Sequence, residues 1–104
     1  MTKRTKALDI SKKVKDKVWE RDGRCCVICG SPQAMPNAHY ISRAQGGLGI
    51  ERNVVTLCIC CHHDLDHTVK RERLKLIVKR YLSNMYDDWE EEKLIYKKWS
   101  ENNE

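Results

Sequence analysis

Phenylalanine is absent from this 104-residue chain, and no apolar run is long enough to span a membrane. Nothing apolar follows the basic start Met1-Thr2-Lys3-Arg4, so no secretory leader is read and the reducing cytoplasm is the expected compartment. No repeat or low-complexity tract occurs, which sets aside repeat architectures. The glycine-rich stretch Gly46-Gly47-Leu48-Gly49 has no phosphate-loop lysine after it, so it reads as a loop that turns through positive φ at Gly46, Gly47 and Gly49.

What is present is small and highly charged. One domain, residues 1–104, with one modest core is all that such a length supports. With 40% hydrophobic and 34% charged residues, burial alone offsets chain entropy poorly, and a staple is expected. The formal charge of +5 is uneven: residues 1–24 carry nine Lys or Arg against four acids, whereas 87–104 carry seven acids against three bases. A basic body with an acidic tail attracts phosphate, although a solvated helix face has the same composition.

Three zones follow along the chain. Asp9 or Ser11 is placed to cap a basic helix over about 10–21, with Val14, Val18 and Trp19 inward, and Asp22-Gly23 ends it. The middle zone, 24 to about 68, is dense in Cys, His, Gly and Asn and has two strand candidates, about 38–42 and 54–57. From about 69 to 99, Leu74, Ile77 and Tyr81 and then Trp89, Leu94 and Tyr96 recur at roughly helical spacing, with Ser83-Asn84 and Asp87-Asp88 as break points. Trp89, Tyr96 and Trp99 read as helix packing rather than as a platform for stacked bases.

The six cysteines supply the staple. In a reducing compartment they favour metal over disulfides, and two Cys-x-x-Cys knuckles are present, Cys26-Val27-Ile28-Cys29 and Cys58-Ile59-Cys60-Cys61. Four thiolates from two such turns can surround one structural Zn2+ tetrahedrally. Cys25 and Cys60 are surplus and read as small thiols. The knuckles lie too far apart for a simple zinc ribbon, so the strands and glycine loop are built between them.

A purely structural zinc needs no histidine beyond four sulfurs, yet His39 lies in the first strand candidate, Asn53 opens the second and His62 follows the last knuckle. The order His39, Asn53, Cys58-Ile59-Cys60-Cys61-His62, with Trp19-Glu20-Arg21-Asp22-Gly23 and Gly46-Gly47, resembles the HNH endonuclease family, in particular its small zinc-stapled phage-type members, over about residues 18–68.

That resemblance implies an α+β fold with a ββα-metal (His-Me finger) core flanked by N- and C-terminal helices, and an enzyme that nicks or cleaves DNA by phosphodiester hydrolysis. It implies His39 as general base, Asn53 as the residue that shapes the hairpin loop or metal site, and His62 as a ligand of a catalytic divalent ion such as Mg2+, Mn2+, Ni2+ or Zn2+. Many members carry Asp or His directly before the general base, where this chain has Ala38. The ligand set must be completed elsewhere: Asp66, four residues after His62, shares its helix face, and His63 with His67 is the competing pair. Lys12, Lys13, Arg43, Lys70, Arg71 and Arg73 are the candidate DNA contacts. No membrane partner is expected, and the resemblance to phage proteins makes a terminase or portal a candidate partner. A zinc-knuckle module that binds nucleic acid or protein without chemistry is the competing reading.

Overall fold

The computed structural model describes residues 3–97, and the fold is α+β: four helices and one two-stranded antiparallel sheet among the described residues. In chain order these are α1 (Lys3–Leu8), α2 (Lys12–Arg21), β1 (Ala34–His39), β2 (Val54–Cys58), α3 (Ile59–His67) and α4 (Arg71–Met85). Short 3-10 turns at Arg43–Gln45 and Glu91–Leu94 complete the set. No helix of the described residues is long and apolar enough to cross a membrane.

Ser11, rather than Asp9, caps α2, its hydroxyl accepting the Val14 N–H at 3.2 Å. Asp9 is engaged by Arg43 at 2.6 Å. Along α2 only Val18 is fully buried, with Val14 and Trp19 half-buried. The preceding helix α1 was not expected from the sequence.

The first strand lies earlier than expected, over Ala34–His39 instead of about 38–42. Its register explains why: Ala34 and Met35 pair with Cys58 and Leu57, and Ala38 and His39 with Val55 and Val54. Pro36 and Asn37 together face Thr56, a bulge that absorbs a proline with no N–H to donate and hides the strand from a sequence reading. Beyond His39, Asn53 takes over the pairing. Its backbone oxygen accepts the Tyr40 N–H at 2.7 Å, and its side-chain oxygen accepts the Ile41 N–H at 2.8 Å.

One apolar cluster joins the sheet to the helices, with Ala38, Val55, Leu57, Leu65, Val78, Leu82 and Leu94 each almost wholly buried. The buried stripe of α4 is Leu74, Val78 and Leu82, not Leu74, Ile77 and Tyr81. Ile77 is 40% exposed, because the helix is turned about one residue, roughly 100°, from the expected phase.

The expected helix over 69–99 is also corrected. It starts at Arg71 and ends at Met85, and Trp89, Leu94 and Tyr96 lie beyond it. Trp89 packs on Tyr40 with ring centroids 5.7 Å apart and donates its indole N–H to Arg52 O at 2.8 Å. Just after the 3-10 turn at Glu91–Leu94, extended Ile95 bridges to Gly47 of the glycine loop, flanked by Leu48 N–H to Leu94 O and Tyr96 N–H to Gly46 O, both at 2.8 Å. Trp99 lies outside the described residues.

That contact revises the reading of the glycines. Gly46 does occupy positive φ, at 85°. Gly47 and Gly49 do not; a Cβ at Gly47 would overlap Ile41 O, and one at Gly49 would overlap Asp9 O. Close backbone approach, not handedness, requires glycine there.

Candidate functional site

The two knuckles meet because each is tied to β2. Val27 N–H donates to Thr56 O at 3.0 Å, which seats the first knuckle on the strand, and Cys58 both ends β2 and caps α3, its sulfur accepting the Cys61 N–H at 3.4 Å. In the first knuckle the Cys29 N–H points at Cys26 Sγ in the same way, at 3.5 Å.

The sulfurs of Cys26, Cys29, Cys58 and Cys61 all lie within 4.8 Å of one another, and Cys29 Sγ is 3.6 Å from Cys58 Sγ. A tetrahedral zinc with bonds of ~2.3 Å has sulfur–sulfur edges of ~3.8 Å, so this group could hold one structural metal such as zinc. Its electrostatics suit a cation. Burial raises the Cys26 thiol, but backbone N–H groups of Cys29, Cys58 and Ile28 outweigh it and bring the thiol down to about 7. Burial and the neighbouring sulfurs push Cys61 well up, so the four thiolates coexist only with a positive charge among them. Cys60 is exposed, and Cys25 donates to Asp22 O at 3.5 Å; neither belongs to the group.

A second constellation lines an open cleft of about 760 Å³. β1 contributes Asn37 and His39, which flank the core-facing Ala38; the loop after it contributes Ser42 and Arg43; and α3 contributes His62, Asp66 and His67. Lys15 of α2 and Arg71 of α4 add positive charge to the walls, and Asp9 and Ile10 close the edge. His62 Nε2 and Asp66 Oδ2 stand 3.2 Å apart, one helical turn from each other.

His39 is half-buried, and its Nε2 lies 2.8 Å from the Leu8 carbonyl oxygen. A carbonyl only accepts, so Nε2 carries the proton and Nδ1 keeps its lone pair. Burial, reinforced by Arg43 and His62, holds the imidazole below its ordinary value against the opposing pull of Leu8 O and Asp66. The net effect favours the neutral ring over the imidazolium.

Asn53 does not line the cleft. It is fully buried, and its side-chain N–H groups donate to Ile41 O at 3.1 Å and Leu48 O at 2.8 Å, which clamps the loop between β1 and β2. His63 lies off the cleft with its ring 5.1 Å from that of His67, which does border the cleft, so the competing pair is split by it. Lys12, Lys13, Arg43, Lys70, Arg71 and Arg73 are all exposed, and of these Arg43 and Arg71 reach the cleft. The sequence reading did not place Lys15 on this wall, nor the Leu8 carbonyl against His39. The i+4 spacing of Lys15 to Trp19 could have shown which face of α2 the lysine occupies; nothing in sequence announces a backbone oxygen.

Comparisons with known protein families, with curated proteins and with solved structures find no match. Function must be read from the chain's own residues.

Proposed function

We propose that this chain is a metal-dependent endonuclease of the HNH type, which hydrolyses DNA phosphodiesters in the cleft and uses the four-cysteine group as a structural zinc staple. The observation that carries this reading is the convergence of His39 from a strand with His62 and Asp66 from a helix, on one open cleft walled by Lys15, Arg43 and Arg71.

In this reading the cationic walls draw the phosphate backbone in and offset its charge. His39 Nδ1 takes a proton from a water molecule as that water's oxygen bonds to phosphorus. The bond to the leaving sugar oxygen breaks, and that oxygen acquires its proton from solvent. His62 and Asp66 would hold a divalent ion, which supplies charge neutralisation at the reacting phosphate when bound. Mixed nitrogen and oxygen ligands discriminate poorly among Mg2+, Mn2+, Ni2+ and Zn2+, so several should serve.

The four cysteines are the one close group of three or more metal ligands among the described residues, which also suits a zinc-knuckle module that binds without cutting. Plasmid nicking by the zinc-loaded protein, assayed with each metal after chelation of the loosely held ion, separates the two readings. His39→Ala should lower nicking by ~10²–10⁴-fold while zinc content and DNA affinity hold, because a general base acts on the transition state. A wild type that nicks with none of the metals leaves the binding module, and an active His39→Ala removes the mechanism.

A further inference from the structure

The contact that orients His39 comes from outside the hairpin and the helix that follows it. Leu8 ends α1, where helix carbonyls have no partner in the next turn. Its oxygen accepts from His39 Nε2 at 2.8 Å and from Arg43 Nη1 at 3.2 Å, and Arg43 is itself tied to the neighbouring Asp9 carboxylate at 2.6 Å.

What seats this carbonyl is equally specific. The Leu8 side chain is 2% exposed, and the Gly49 N–H donates to Ala7 O at 3.0 Å. A Cβ on residue 49 would overlap Asp9 O and come within 2.9 Å of Leu8 O, both backbone atoms that cannot swing aside as a side chain can. Gly49 in turn follows Leu48, whose backbone is held on one side by the Asn53 amide and on the other by Leu94 O.

We infer that α1 is a working part of the site: the Leu8 carbonyl, seated by Gly49, fixes the tautomer and direction of the His39 ring, so that Nδ1 faces the cleft. Leu8 and Gly49 are then positioning residues. The inference rests on the base role given to His39 above, but its first consequence, a single imidazole tautomer, is measurable without any substrate.

The test is ¹⁵N-edited imidazole NMR of the full-length zinc-loaded protein at a pH where the ring is neutral, with His39→Gln to assign the signal. Wild type should show His39 protonated at Nε2 alone. Gly49→Ala should move α1, convert the signal to a tautomer mixture, and lower kcat for nicking by about 10- to 100-fold with KM little changed. Leu8→Ala keeps the carbonyl but loosens its seat; it should shift the tautomer in the same direction by less, and it serves if Gly49→Ala loses zinc. Protonation of His39 at Nδ1 in wild type, or a Gly49→Ala protein with an unchanged tautomer and kcat, overturns the inference. If the wild type never nicks DNA, the nuclease reading falls and the tautomer decides the inference alone.

Discussion

Two polar clusters in this protein solve opposite problems. Around Asp22 the side chain is wholly enclosed and every acceptor is used: Arg21 donates to it at 2.7 and 3.1 Å, the Tyr81 hydroxyl at 2.6 Å and the Thr56 N–H at 2.8 Å. Arg21 spends its remaining donors on Glu51 O, Val54 O and the Tyr86 hydroxyl. Burial opposes the charge on that guanidinium, but Asp22 and Tyr86 outweigh it and the pKa rises. Around His39 the groups are no fewer, yet His39 and the His62–Asp66 pair line an open cleft rather than a closed core. A satisfied buried network ties α2, β2 and α4 together and can do nothing else; an unsatisfied exposed one contributes little to stability and is free to bind and react.

The sharpest way to break this contrast is to remove the staple on which both clusters depend. Cys26→Ser or Cys61→Ser should abolish zinc retention and unfold the middle of the chain, because in so small a core metal binding and folding are one free energy. Metal analysis with a thermal melt followed by circular dichroism checks this, and Cys25→Ser and Cys60→Ser should behave as wild type. The sign with pH follows from the chemistry: thiols must lose protons to bind zinc, so the metal is held at neutral pH and released as pH falls. A Cys25 or Cys60 variant that loses zinc would show that the ligands are misassigned.

Next in size is the closed cluster. Asp22→Ala leaves the Arg21 guanidinium buried without its counter-charge, which should cost ~3–5 kcal/mol. The loss should appear in chemical denaturation, while zinc content and the metal dependence of nicking in the folded fraction stay as they were. Equal damage to metal dependence would mean that the two clusters are not separate.

How much of this was legible in the sequence differs between the clusters for physical reasons. Local spacing carries the cysteine group, because Cys-x-x-Cys closes on itself within one turn. It also carries the His62–Asp66 pair, because four residues make one helical turn. Helix α2 and strand β2 were readable from a capping serine and a β-branched run. The phase of α4 was not: Ile77 beside Val78 and Tyr81 beside Leu82 give two apolar stripes one residue apart, and only packing against the sheet selects Val78 and Leu82. Nor was β1, whose Pro36 argues against a strand until a bulge accommodates it. Arg21 and Asp22 could be seen as a helix end, but not as the centre of a network whose partners lie 34 and 59 residues away. Least legible of all was the Leu8 carbonyl, since every residue has one and only tertiary structure says which is used.

The smallest expected effect discriminates within the open cluster itself. His62 with Asp66 and His63 with His67 have the same spacing on α3, so a sequence reading has only the 100° between successive residues to separate them. In the fold, His62 and Asp66 both border the cleft and their ligating atoms are 3.2 Å apart; of the other pair, His67 borders it and His63 does not. On the proposed reading, an ion placed where His39 acts would take Asp66 as ligand and at most one nitrogen from the outer pair. Asp66→Ala should raise the Mn2+ concentration that gives half-maximal nicking by at least the ~10- to 100-fold that losing a mere supporting partner costs a metal site, with a matching loss of Mn2+ affinity by calorimetry. His67→Ala should change either figure by only a few-fold, through its place on the cleft edge. Should His67→Ala prove the more damaging in both measurements, the ion would have to sit toward the outer pair, and the cleft around His39 would lose its claim to be a single reacting centre.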